Sequence, residues 1–216
     1  MTILDQLAYH ARERVEDAKK TVSLEEVKQN AYVSPKGDFA FEKALKKPGV
    51  SFICECKKAS PSKGLIDSEF PYMQIAKEYE AAGADCISVL TEPKWFLGSN
   101  DYLQEIASAV SVPCLQKDFT VDEYMIYKAK LLGASAVLLI CAILDETQIR
   151  NYINICDELG LSALVEVHVE KEVQVAINAG ARVIGVNNRN LKDFSVNSEN
   201  SRRLRSLVPA DVVFVS

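Results

Sequence analysis

The chain has 216 residues, 48% of them hydrophobic and 25% charged, which suits one large or two small globular domains. Thirty Asp and Glu against 25 Lys and Arg give a net charge of −5 and a pI near 5.2, which excludes a nucleic-acid footprint and favours a small, specifically bound partner. No apolar run reaches the roughly 18 residues that span a bilayer. The segment Met1 to Lys20 is amphipathic with no signal-peptide core, so a cytoplasmic protein without a membrane partner is expected.

In chain order, helices come first. Ile3, Leu4, Leu7, Ala8, Ala11, Val15 and Ala18 make one apolar stripe at helical spacing. Ser23 with Glu26 reads as a capping box opening a second helix. Phe39, Phe41 and Leu45 sit in a third segment, ended by Pro48-Gly49. Residues 1–48 are therefore predicted to be a helical extension packed on the body formed by 49–216. That body carries seven apolar runs, at 51–56, 86–90, 112–117, 136–141, 163–167, 183–187 and 212–216, with helical stretches between them. Several runs follow a helix that closes on Gly: Ala82-Gly83-Ala84, Leu132-Gly133-Ala134, Leu159-Gly160-Leu161 and Ala179-Gly180-Ala181. Helix-to-strand punctuation repeated in this way predicts an α/β fold with a parallel sheet buried on both faces.

Repeated βα units build either an open doubly wound sheet or a closed (β/α)8 TIM barrel. The barrel fits better. The turn after the first strand, Lys57 to Gly64, holds a single Gly instead of a dinucleotide fingerprint, and polar residues stand at the ends of at least five strands. Only seven strands are present and the sequence stops in or just after the last, at Val212 to Ser216. The expectation is a barrel lacking its eighth βα unit, from a polypeptide that is naturally longer or has lost its C-terminal part. Such a barrel would expose two strand edges and could self-associate through them.

The six cysteines, Cys54, Cys56, Cys86, Cys114, Cys141 and Cys156, mostly lie in apolar runs, as small buried hydrophobes of a reducing compartment do. With only His10 and His168 and no second Cys/His pair at zinc spacing, no metal site is expected. Candidate chemistry lies at the strand ends. Glu55, Lys57 and Ser60 follow the first run; Thr91 and Glu92 the second; Lys117 and Asp118 the third; Glu166 and His168 the fifth; Asn187 to Asn190 the sixth. Leu115 and Lys117 share a face, as do Leu164 and Glu166, and Gly185 and Asn187, so the polar residues continue inward rows above barrel-filling apolar groups. Two lysines and two glutamates converging on one mouth suit acid–base work, and Trp95, Phe96, Phe119, Leu138 and Leu191 suggest a flat aromatic ligand part. Ser60-Pro61-Ser62-Lys63-Gly64 offers an anion-binding rim. The competing reading for any one charged pair is a structural ion pair, for Trp95 packing, and for His168 a surface or loop residue.

At these residues the sequence resembles the indole-3-glycerol phosphate synthase family. The matching pieces are Glu55-Cys56-Lys57-Lys58-Ala59-Ser60-Pro61-Ser62-Lys63-Gly64, Leu90-Thr91-Glu92 with Phe96-Leu97-Gly98-Ser99, Leu115-Gln116-Lys117-Asp118-Phe119, Leu164-Val165-Glu166-Val167 and Ile184 to Leu191. The resemblance implies ring closure of 1-(2-carboxyphenylamino)-1-deoxyribulose 5-phosphate to indole-3-glycerol phosphate, with loss of carbon dioxide and water and no cofactor or metal. It implies Lys117 as general acid, with Glu166 or Glu55 as base. Lys57 would hold the substrate carboxylate or act as acid in the dehydration; which lysine serves which step stays open. Asn187 would support Glu166 or the substrate hydroxyls, Ser60 and Arg189 would lie toward the phosphate, and Phe96, Phe119, Leu138 and Leu191 would wall in the ring. The family also carries a Glu-Ser-Gly segment at the end of strand seven and a Gly/Ser loop after strand eight, both for phosphate. The sequence ends at Ser216, so an impaired enzyme is expected of this form. The alternatives are an inactive barrel fragment that associates with a partner, or another phosphate-binding barrel isomerase.

Overall fold

The structure, a computed structural model, describes residues 2–189 and 195–216. Helices α1 (Ile3–Thr21), α2 (Leu24–Val33) and α3 (Ala40–Leu45) precede β1 (Ile53–Cys56) and a hairpin of β2 (Ala59–Ser60) and β3 (Gly64–Leu65). Alternation follows: α4 (Tyr72–Ala81), β4 (Cys86–Leu90), α5 (Asn100–Ala109), β5 (Cys114–Lys117), α6 (Glu123–Leu131) and β6 (Ala136–Ile140). It continues with α7 (Glu146–Leu159), β7 (Ser162–Val167), α8 (Glu170–Asn178), β8 (Val183–Val186), α9 (Glu199–Arg205) and β9 (Val213–Val215). All seven predicted strands are present among the described residues. The hairpin was not anticipated, because strands of two residues carry no periodicity.

The main sheet is parallel, in the order β1-β4-β5-β6-β7-β8-β9. Successive strands are neighbours throughout, with no reversal of order. A doubly wound sheet needs that reversal, and its ligand crevice forms there. This sheet winds in one direction, as a barrel wall does, which leaves the ends of all its strands available to one site.

Alternation along each strand sorts the core in two. Leu115, Leu138, Ile140, Leu164 and Val183 point to the inner cluster, whereas Ile87, Val89, Val137, Leu139, Val165 and Ile184 face the surrounding helices. Gly83, Gly133, Gly160 and Gly180 all take positive φ, so each predicted helix stop is a left-handed one. Gly160 has a second constraint. A Cβ there would lie 2.0 Å from the Gly37 carbonyl oxygen, because the segment before α3 docks on this turn through Gly37 N–H to Leu159 O at 2.9 Å and Phe39 N–H to Gly160 O at 3.1 Å.

The first three helices serve opposite ends of the sheet. Helix α3 closes the N-terminal ends of the strands: Phe41 is fully buried in the inner cluster against Cys86, Leu115, Ala136 and Leu164. Glu42 beside it pairs with Arg182 at 2.9 Å and Lys46 at 2.7 Å, and its N–H donates to Ser162 Oγ at 3.1 Å. Helix α1 lies at the other end, where Arg14 pairs with Asp118 and Lys19 with Asp122, both just past β5. At the start of α2, Ser23 accepts from Glu26 N–H, which is half of the anticipated capping box.

Phe41→Ala should cost about 3–5 kcal/mol, because it opens a cavity in a floor with no neighbour able to refill it. Urea unfolding should show a lower midpoint at unchanged m.

Candidate active site

The register of the sheet builds the site. Glu55 pairs across from Ser88, Leu90 from Lys117, and Ile140 from Glu166, so the charged residues stand one layer above the inner apolar cluster. Asn187 follows β8 directly, and its N–H donates to Val167 O at 2.9 Å. A polar group there costs less than one deeper in the inner cluster, because the mouth admits solvent and partners.

Glu55 is the hub. One of its oxygens accepts from Lys57; the other lies 3.5 Å from Lys117 Nζ and 3.4 Å from Ser88 Oγ. Burial opposes the Glu55 charge, but Lys117 and Lys57 outweigh it and hold its carboxyl below the ordinary glutamate value. For Lys117 burial is again the largest influence and favours the neutral amine. Glu55, and Glu166 at longer range, reverse that and hold the ammonium above the ordinary lysine value. Glu166 is held differently: the Asn187 side-chain amide donates to it at 3.1 Å, while the Asn187 amide oxygen accepts from Arg189 N–H at 2.9 Å. The two carboxylates therefore differ. Glu55 is neutralised by two cations, whereas Glu166 is oriented by a neutral amide.

These groups open on a cavity of about 340 Å³. Glu55, Lys57, Lys117, Glu166, Asn187 and Arg189 give it its polar side, and Phe96, Phe119 and Leu138 an apolar one. The Phe96 and Phe119 rings are 6.1 Å apart, tilted by 40°. At the rim, Ser60 Oγ accepts from Lys63 N–H at 3.3 Å, which bends the segment into a loop of polar groups. Of the residues anticipated for the site, Asn190 and Leu191 lie outside the described residues; the others named in this paragraph all line the cavity.

Several sequence expectations change. Trp95 does not line the cavity: it stacks edge-on with His10 at 5.4 Å and lies under Lys94. Glu92 is fully buried, and its carboxylate accepts from the backbone N–H groups of Lys94, Trp95 and Phe96 at 2.8–3.0 Å, so it organises the loop. Asp118 borders the cavity, but its carboxylate accepts from Arg14 and Thr91. His168 lies in the bend after β7, as the loop reading has it, and is half-buried, with Nδ1 2.8 Å from Asn187 O. Sequence reasoning missed Ile3, Leu4 and Leu7, which wall the cavity from α1, and Ile66 beside the hairpin. The apolar stripe of α1 contains the first three, but the stripe alone does not say what it covers. Among the described residues no group of three His, Cys, Asp or Glu could hold a metal ion.

A family model described as "Indole-3-glycerol phosphate synthase" matches residues 4–216. The chain is similar to the protein of that name from Ruminiclostridium cellulolyticum, with 59% identity over 215 residues, covering 99% of this chain and 83% of that one. It is similar also to the one from Endomicrobium trichonymphae, with 53% identity over the same shares of the two chains. Among solved structures it is similar to the YdjI aldolase of Escherichia coli K12, with TM-score 0.56 and 16% identity, covering 80% of this chain and 68% of that one. It also matches the N-acetylmannosamine-6-phosphate 2-epimerase of Clostridium perfringens, with TM-score 0.52 and 11% identity, covering 81% and 88%. At such identities the likeness to the two structures is one of fold alone.

Glu55→Gln removes the larger of the two charges that support Lys117, leaving burial to dominate. The Lys117 pKa should then fall below its value in the unaltered protein. A titration of 13Cε-labelled lysines by NMR, with Lys117→Met for assignment, checks the direction.

Proposed function

The chain belongs to the indole-3-glycerol phosphate synthase family, and on that premise we propose how its cavity carries out the reaction. The enzyme is a carbon–carbon lyase of tryptophan biosynthesis. It closes the ring of 1-(2-carboxyphenylamino)-1-deoxyribulose 5-phosphate, with loss of carbon dioxide and water.

The chemistry has three demands. The ring carbon bearing the carboxylate attacks the ketone carbon, and the carbonyl oxygen must take a proton as its π electrons move onto it. Breaking the bond to the carboxylate then releases carbon dioxide and returns an electron pair to the ring. Finally the new hydroxyl leaves as water while a proton is removed, which gives the indole. Lys117 is the acid of the first step. Its raised pKa keeps it protonated near neutral pH. Lys57, nearer the rim, holds the substrate carboxylate and then has a proton to give to the departing hydroxyl. Glu55 holds Lys117 charged and pairs with Lys57. Its lowered pKa makes it a poor base. Glu166 is the base that accepts the proton at dehydration, oriented by Asn187.

Phe96, Phe119 and Leu138 pack on the aromatic ring, as such walls do for flat ligands. Ser60 and the adjoining loop, with Arg189, face the phosphate end. The observation that carries these assignments is the pairing of two ammonium groups on one carboxylate beside the Phe96–Phe119 wall. We also read the sheet as belonging to a (β/α)8 barrel. The free edges of β1 and β9 among the described residues are where an eighth strand fits. Residues 1–48 and 49–216 are read as an extension and a barrel in one domain, with α1 and α3 packed on opposite ends.

Lys117→Ala should lower kcat by at least about 10²–10⁴-fold, the usual worth of a positioned general acid. A kcat near that of the unaltered enzyme would remove the role assigned to Lys117. Glu166→Gln should lower kcat with the intermediates before dehydration accumulating in rapid-quench experiments, whereas Lys57→Met should raise KM as well as lower kcat.

A further inference from the structure

Two buried acids that the mechanism does not use stand directly behind the aromatic wall. Glu92, fully buried, accepts from Phe96 N–H at 3.0 Å. Asp118, 2% exposed, accepts from Phe119 N–H at 2.8 Å. Each acid thus grips the backbone of one of the two rings that face each other in the cavity. Both acids are met in turn from α1. Arg14 makes a two-pronged contact with Asp118, at 2.6 and 3.1 Å, and His10 Nδ1 lies 3.4 Å from Glu92. Thr91 Oγ donates to Asp118 at 2.7 Å and completes its shell. On α1 the residues Ile3, Leu7, His10 and Arg14 fall at helical spacing along one stripe, with the first two in the cavity and the last two on the acids. One helix face therefore walls the cavity, holds the support of Phe119 through Arg14 and places His10 beside the support of Phe96.

We propose that Arg14, acting through Asp118, is a positioning residue that sets the Phe96–Phe119 slot and so determines the fit of the substrate's aromatic ring. This rests on the reading above that the ring lies against these two side chains. A bidentate Arg–carboxylate contact fixes direction as well as distance, which a lysine cannot reproduce. Phe119 is one residue from Asp118, so a displaced Asp118 carries Phe119 with it. Lys117, one residue the other way, is also tied to the residue that follows β4, where Thr91 N–H donates to Lys117 O at 3.1 Å. The slot should therefore feel the loss of Arg14 more than the acid does.

The test uses the purified enzyme with Arg14→Met, Arg14→Lys, Phe119→Leu and the double variant Arg14→Met/Phe119→Leu. The measurements are KM, kcat and the inhibition constant of a substrate analogue whose ketone is reduced to an alcohol. Arg14→Met should raise KM and the inhibition constant by about 5–20-fold with kcat kept within about threefold, and Arg14→Lys should recover only part of the loss. The double variant should bind the analogue no more than about twofold more weakly than the weaker single variant, because both changes act on one slot. If Arg14→Met does not fold, Arg14→Lys still decides: unaltered KM in that variant overturns the proposal. Full additivity in the double variant, or analogue binding unaffected by Arg14→Met while Phe119→Leu weakens it, overturns the positioning role alone. Analogue binding unaffected by Phe119→Leu removes both the slot and the role.

Discussion

Everything at the mouth of this barrel depends on one carboxylate. Two ammonium groups cannot stand at the top of an apolar core without a counter-charge, and Glu55 supplies it to both. Its position follows from strand parity: a residue two along from Ile53 faces inward, and the register sets it opposite Ser88 and within reach of Lys117. The same arrangement that makes the two cations tolerable holds the Lys117 ammonium above the ordinary lysine value, which suits the acid role proposed for it. Stability and chemistry here draw on the same contacts.

The division of labour between the two glutamates has a matching cause. Glu55 sits among cations and Glu166 beside an amide. The Glu55 carboxylate, stabilised by two positive neighbours, gives up proton affinity. Identical side chains thereby stand in different settings, one as counter-ion to two lysines and the other fixed by an amide. Around them the first helices act at both ends: α3 fills the floor with Phe41, and α1 roofs the site while its Arg14 holds Asp118 behind the aromatic wall and its His10 lies beside Glu92.

Much of this was legible in the residue order. Period-two alternation placed Glu55, Lys117 and Glu166 inward before any contact was known, and the four helix-closing glycines marked the βα repeat. The serial strand order agrees with the barrel reading over the doubly wound one. What was misread has a common origin. Glu92 and Asp118 looked like site acids because they stand at strand ends, yet one turns its carboxylate into its own loop and the carboxylate of the other accepts from Arg14 of α1. Trp95, whose packing reading the sequence already favoured, packs on His10. The α1 residues lining the cavity were seen only as an apolar stripe.

By itself, then, the sequence determined the parallel βα wall, the inward charged layer and the family to which the chain belongs, because these rest on local periodicity and short contiguous motifs. Only the tertiary structure decided which carboxylate neutralises which lysine, which acids are structural, and that the first helix closes the site it precedes by about a hundred residues. Those outcomes depend on distances between segments remote in the chain. Such distances are fixed by packing and by the direction in which each side chain leaves its strand or loop, and no local pattern encodes them.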